Sequence, residues 1–266
     1  MCPTSYRPVT SSTRPADTIT ANRMIQLPEE IKVVKKEGNK AIFEIGPLMP
    51  GYGATIANPL RRVLLSSLEG AAITSLKIKG VEHEFGAISG VQQDVIEVLL
   101  NLKRLRFRSF SAEPVVVILK VKGEREVTGE DIQLTSDVEL VNPEQAICTI
   151  TDKKTELEIE FTISKGRGYV AVETRQKEKL PIGVISVDAA FSPVRMVNFT
   201  IDDVRVGQRI DFNRVTLEVE TDGSIQPEQA MKEAGQILAD HFSLIASIAV
   251  PEAVGKAPKK VKKAKK

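Results

Sequence analysis

Apolar and polar positions change period several times along the chain, and each change marks an element. Ile31–Lys36 and Lys40–Ile45 are apolar-rich runs flanking Glu37-Gly38-Asn39, which predicts a hairpin around a Gly-Asn turn. After Gly51-Tyr52-Gly53, Ile56, Leu60, Val63, Leu64 and Leu68 recur at three- and four-residue steps, so 54–68 is expected to be a helix ending before Gly70. Ile73–Ile78 predicts a strand. Val91–Leu102 carries a second helical stripe with Asp94 and Glu97 early. Pro114–Val121, apolar but for Lys120, reads as a buried strand. Leu157–Ile163 alternates strictly and therefore leaves one face wet. Gly166-Arg167-Gly168-Tyr169 reads as a turn before a further strand.

In the last third, Val215–Glu220 alternates up to a turn at Asp222-Gly223. Pro227 suits a first helical position, with Glu228 in the positive first turn. Met231, Ala234, Leu238, Phe242, Ile245 and Ala249 then form a stripe over 227–249 that suits a partner helix. Pro251 ends it.

Residues 1–24 break the periodicity altogether. They are rich in Ser, Thr and Pro, with three arginines against Asp17, and read as a disordered extension. An Arg- and Ser-rich start also occurs in organelle transit peptides, but three prolines argue against the amphipathic helix those form. Charge is uneven as well. The 266-residue chain has a net charge of +2, yet residues 251–266 hold seven lysines and one glutamate. That leaves 30 of the 37 basic and 34 of the 35 acidic residues for positions 1–250, a net of −4. Only the tail resembles a polyanion binder. Two cysteines, Cys2 and Cys148, exclude a disulfide framework and favour a reducing compartment. No run approaches the ~20 apolar residues of a membrane span.

The search for chemistry is mostly negative. Gly51-Tyr52-Gly53 lacks the third glycine of a dinucleotide fingerprint, and no phosphate-binding Gly-x-x-x-x-Gly-Lys loop occurs. His83 and His241 are the only histidines, neither in a nucleophile or zinc motif, and both read as surface or half-buried side chains. Cys148, within Ile147–Ile150, reads as a buried structural thiol. The acid pair Asp202-Asp203 has no further carboxylate at metal-site spacing and is expected on a solvated loop or helix start. No catalytic residue, metal ligand or cofactor site is expected on this chain.

Three segments, Gly51–Leu68 (GYGATIANPLRRVLLSSL), Gly90–Lys103 (GVQQDVIEVLLNLK) and Gly166–Val170 (GRGYV), together resemble the α-subunit family of bacterial DNA-directed RNA polymerase. Pro181-Ile182-Gly183 and Val187–Val194 (VDAAFSPV) extend the likeness in the same order, so that it covers about residues 25 to 248. The resemblance implies a non-catalytic assembly scaffold, cytoplasmic and nucleoid-associated. It would homodimerise and carry the two large catalytic subunits, β and β′, with ω and σ in the complete enzyme and DNA engaged through the complex. The implied fold class is α+β: a dimerisation domain from residues 25–69 and 194–250, with a mixed α+β domain, 70–193, inserted between them. Residues 1–24 and 251–266 would stay outside as extension and tail.

By the same resemblance Arg61 and above all Arg62 contact a large subunit; an arginine fork suits carboxylates and carbonyls at an interface. Pro181, Ile182, Gly183, Ser192 and Pro193 would extend that surface. Leu60, Leu64, Met231, Ala234, Leu238, Phe242 and Ile245 would form the dimer seam. From the residues alone, packing of both stripes within one chain is slightly the better reading. Two departures from the family stand out. Pro59 sits where the family carries a small residue, so the helix either kinks there or begins there with Asn58 as cap. The sixteen residues after position 250, mostly Lys, Ala, Val and Pro, cannot enclose the small DNA-binding domain that the family commonly carries. Lys259, Lys260, Lys262 and Lys263 would then offer non-specific, salt-sensitive nucleic-acid contacts, or serve only as a solubilising end.

Overall fold

The first two strands, β1 (Glu30–Glu37) and β2 (Lys40–Leu48), pair antiparallel across the expected Gly-Asn turn in a computed structural model, which describes residues 28, 30–175, 181 and 183–248. The 1–24 extension, Ile182 and the lysine tail lie outside the described residues. Helix α1 (Tyr52–Ser66) follows, then β3 (Glu69–Ile78), α2 (Val95–Leu102), β4 (Phe107–Ser109), β5 (Val115–Lys122) and β6 (Arg125–Thr128). After a single 3₁₀ turn come β7 (Ile132–Gln133), β8 (Val138–Leu140), β9 (Ala146–Ile150), β10 (Glu156–Arg167), β11 (Tyr169–Val170) and the one-turn α3 (Val172–Arg175). The chain returns through β12 (Ile185–Ser186), β13 (Ala189–Ala190), and the long hairpin β14 (Val194–Val206) and β15 (Arg209–Thr221), ending in α4 (Pro227–Ala246). The fold is mixed α+β and mostly strand.

Two hydrophobic clusters form. The first is a four-stranded antiparallel sheet, β1-β2-β15-β14, covered by α1 and α4. Phe43 and Ile45 of β2 and Leu217 and Val219 of β15 meet Ala57 and Leu64 of α1 and Ala230 and Ala234 of α4. The second is built on a larger sheet, β7-β5-β10-β3-β4-β8, with β12 added beside β3 and α2 packed nearby. Leu119, Ile159, Ile163 and Val98 are at its centre. The first cluster draws on both ends of the described chain and the second on residues 71–187.

The chain crosses between the clusters twice, at Leu68–Gly70 and Phe191–Val194, and the crossings touch. Gly70 pairs with Gly166 across β3 and β10. A Cβ on Gly70 would lie 1.8 Å from the Phe191 carbonyl oxygen, and one on Gly166 would meet the Phe191 ring at 2.6 Å. The glycine pair is therefore a recess that admits Phe191. Gly70→Ala is expected to destabilise the chain by about 2 kcal/mol, because backbone rather than a flexible side chain must give way. Denaturant unfolding of the variant checks it.

Several boundaries differ from those the pattern suggests. Helix α2 begins at Val95 rather than Val91, because the Asp94 carboxylate caps it, accepting from the Glu97 N–H at 2.7 Å. Helix α1 runs through Pro59 rather than starting there. Helix α4 ends at Ala246 rather than 249, with Pro227 in its first turn as expected. Strand β5 is not buried on both faces: Val117, Leu119 and Val121 point into the core, while Val116 and Ile118 stand on the open face with Lys120 and Lys122. A run this apolar gave no sign of which face was wet. Gly166 and Arg167 extend β10, so the turn shrinks to Gly168 at φ 64°. Asp202 and Asp203 lie in β14, not in a loop or helix start; strand pairing from 194 to 221 absorbs them.

Candidate functional site

Chemistry-bearing side chains do not converge. Among the described residues no group of three or more His, Cys, Asp or Glu is placed to hold a metal ion. Cys148 is buried in β9, and desolvation pushes its thiol up to about 12, so it stays protonated and inert. His83 and His241 are both on the surface. Asp203 accepts from the Asn213 side-chain amide at 3.0 Å, and Asp202 faces Arg214 at 4.0 Å, an arrangement that staples β14 to β15. No helix among the described residues is long and apolar enough to cross a membrane.

What the fold does present is exposed apolar surface on α4. The first half of this helix packs on the sheet through Pro227, Ala230, Met231 and Ala234. Beyond Leu238 the helix leaves the core, and Phe242 (58% exposed), Leu244 (73%) and Ile245 (59%) face solvent, as does Ile248 (68%) just past its end. At 1.5 Å per residue, about 12 Å of apolar helix stands free. Beside it lies an open apolar cleft of about 440 Å³, walled by Ile31 of β1, Tyr52, Ile56, Pro59 and Leu60 of α1, and Met231, Leu238 and Phe242 of α4. The residues expected at a dimer seam are thus divided. Leu64 and Ala234 have no accessible surface and belong to the internal core; Leu60 and Met231 are at its margin, and Leu238 packs partly on it. Phe242 and Ile245 are outside it. Leu244, Ile248 and Ile31 were not singled out from the sequence, because they fall off the helical stripe or on a strand that pattern alone made look two-sided.

Arg61 and Arg62 are exposed on α1, and among the described residues neither guanidinium has a hydrogen-bond or ion-pair partner. Ser192 is brought to the same helix end: its hydroxyl donates to the Leu65 carbonyl at 3.0 Å, fixing the 191–193 crossing one turn after Arg62. Pro193 is buried. Pro181 and Gly183 lie elsewhere. They form a turn near Val81, past the far end of β3, and the chain returns along β3 through β12, where Ile185 pairs with Leu76. From Leu76 to Gly70 is about 20 Å at strand spacing. The expected contact residues therefore form a strip along one strand rather than a single spot.

Two groups not singled out beforehand hold that strip in place. Arg175 donates to the carbonyls of Thr74 and Val187, pinning β3 to the returning chain. Asp188 accepts from the Val172 N–H at 2.9 Å and faces the Lys103 ammonium at 3.4 Å. The backbone N–H first, then Lys103, hold its carboxyl below the usual aspartate range, against the opposing effect of burial. Since the folded state resists protonation, this contribution is complete above the unfolded aspartate value of about 3.9 and fades as pH falls through the lower folded value. Asp188→Asn should therefore cost about 0.5 kcal/mol at pH 7, a modest figure because the pair is a third exposed and screened. The difference from the unmodified chain should vanish in acid, as thermal unfolding across pH would show. No sequence signal flags either group, since a lone Arg or Asp in an irregular segment gives no periodicity.

Residues 76–192 match the family model described as the RNA polymerase Rpb3/RpoA insert domain. The chain is 48% identical over 219 residues to a protein of Symbiobacterium thermophilum, covering 82% of this chain and 69% of that protein. It is 47% identical over 217 residues to one of Roseiflexus castenholzii (82% and 67%), and 45% identical over 225 residues to one of Chloroherpeton thalassium (84% and 68%). Each of the three is named DNA-directed RNA polymerase subunit alpha.

Proposed function

The chain belongs to the DNA-directed RNA polymerase α-subunit family, and from that premise we propose that it is a non-catalytic scaffold that dimerises and carries the two large catalytic subunits. Nucleotidyl transfer then belongs to the complex, and this chain supplies its geometry. The observation that carries the reading is the free apolar half of α4 beside an apolar cleft on the same protomer. A projecting knob next to a recess is self-complementary: in a two-fold pair, each helix end seats in the other's cleft and the assembly closes. Such a surface left in water would instead be an aggregation liability.

In this reading the first cluster is the dimerisation domain, residues 25–69 with 194–250, and the second is the domain inserted at 70–193. The presence of two separate buried clusters joined by two crossings supports that division. Arg62, with Arg61, Ser192 and the strip back to Pro181, forms the large-subunit surface. A planar guanidinium with no partner among the described residues supports the choice of Arg62.

Affinity purification of the tagged chain from its own cells, with mass spectrometry, tests the proposal. Two very large polymerase chains in stoichiometric amount are expected. Their absence from a folded, abundant preparation would overturn the scaffold role.

A further inference from the structure

The large-subunit surface proposed above is split between the two clusters: Arg62 sits on the first, and the turn at Pro181 on the second. Binding one rigid partner with both needs their relative orientation fixed. Two adjacent chain crossings make a hinge line, not a clamp, so the fixing must come from elsewhere.

It comes from the loop between β15 and α4. A cleft of about 240 Å³ opens there between the clusters, lined by Glu69 and Gly70 of the crossing, Arg108 of β4 and Ser224 of the loop. Asp222 belongs to the first cluster's loop. Its backbone N–H donates to the Pro193 carbonyl, and its Oδ1 accepts from both the N–H and the hydroxyl of Ser224, at 2.9 and 2.5 Å. Only 8% of its side chain is accessible, and Oδ2 points at Arg106 Nε, 3.5 Å away. Arg106 belongs to the second cluster. It is held by its own neighbours: its N–H donates to Asn142 Oδ1 at 2.7 Å, and Nη1 donates to the Lys103 carbonyl at 3.1 Å. Its Nε is buried with no hydrogen-bond partner. Beside it, Arg108 Nε donates to the Ser224 carbonyl at 2.8 Å.

Each charge is thus preorganised on its own side, and among the described residues the ion pair that each makes is the one across the gap. Burial pulls the Arg106 guanidinium down from its ordinary value, and Asp222 opposes that pull. A desolvated pair of this kind specifies geometry more than it stabilises, because removing either partner strands the other, whereas removing both can be nearly neutral.

We propose that Arg106 and Asp222 are positioning residues: an ionic latch that locks the two clusters in one relative orientation and so sets the spacing of the split large-subunit surface. This rests on the scaffold reading for its consequence, but the latch itself can be measured on the chain alone.

Spin labels on Ala54→Cys in α1 and Lys122→Cys at the end of β5, in a Cys2→Ser background, report the distance between clusters. Cys148 is buried and unreactive. Labelled chain is diluted into excess unlabelled chain, so each assembly carries one pair. The unmodified latch should give a single narrow distance by double electron–electron resonance. The double variant Arg106→Met with Asp222→Asn removes both charges, and should at least double that width while each cluster keeps its amide protection. It should also weaken binding of the large subunits about tenfold with the oligomeric state unchanged. Ser224→Ala, which removes the hydroxyl bond to Asp222 Oδ1 but keeps the backbone N–H bond and both charges, is the second probe, with an intermediate widening expected. Unchanged widths in both variants would overturn the latch, and a doubled width with unchanged binding would overturn its positioning role. Failure of the unmodified chain to bind the large subunits would instead strike the scaffold reading and leave the distance result standing.

Discussion

The unmodified chain is expected to sediment as a dimer, and a chain carrying Phe242→Asp as a folded monomer. Phe242 is 58% exposed in the isolated protomer and lines the cleft without entering the internal core. The hold of α4 on its own sheet comes from Ala230, Met231 and Ala234, a full turn or more earlier, so an aspartate at 242 costs the protomer little. A two-fold seam counts the change twice. Each phenylalanine contributes about 1.5–3 kcal/mol when buried, and an unpaired carboxylate in an apolar seam adds a further penalty. Even a conservative total of about 4 kcal/mol corresponds to a roughly thousandfold weaker dimer. Sedimentation over a concentration series, with circular dichroism to confirm the fold, would read this out. Leu238→Asp is a less clean probe, because Leu238 also packs against the internal core and its loss would disturb both folding and association. A Phe242→Asp chain that stayed dimeric at low concentration would place the seam elsewhere.

How much of this was legible beforehand depended on whether periodicity or three-dimensional convergence carried the information. The 31–45 hairpin showed in its Gly-Asn turn between apolar-rich runs, and α1, α4 and the alternation in Leu157–Ile163 showed in spacing, because one face of each of these three meets a core. Helix spacing also placed Leu60, Leu64, Met231 and Ala234 on apolar stripes, but a stripe does not say which core it meets. Leu64 and Ala234 turned inward while Phe242 and Ile245, on the same pattern, stayed out, because only the first half of α4 packs on the core. Val116 and Ile118 misled for the converse reason: β-branched residues suit an open sheet face as well as a closed one. Arg106 with Asp222, and Lys103 with Asp188, were beyond reach, since partners 116 and 85 positions apart leave no local trace. The Gly70–Gly166 recess was visible only as two glycines; its purpose depends on where Phe191 comes to rest.

Arg62→Ala is expected to weaken association with the large subunits about 30- to 100-fold while leaving the dimer intact. The guanidinium is exposed and unpaired among the described residues, so truncating it removes nothing from the protomer's own stability. It also lies outside the apolar cleft, which α1 lines through Tyr52, Ile56, Pro59 and Leu60. Its backbone is fixed, because it sits mid-helix, its carbonyl accepts from the Ser66 hydroxyl at 2.7 Å, and Ser192 ties the next turn to the chain crossing. A fixed backbone means that only the side chain has to be ordered on binding, and a desolvated arginine at an interface centre is worth about 2–3 kcal/mol when removed. The comparison with Arg62→Lys separates charge from shape. Lysine keeps the charge but not the planar five-donor fork, so a requirement for bidentate recognition predicts that lysine recovers only a small part of the loss. Full recovery by lysine would mean that charge alone suffices. Titration of the purified dimer with the large subunits, monitored for both variants, would decide; an Arg62→Ala dimer that bound at full strength would move the contact along the strip toward Pro181.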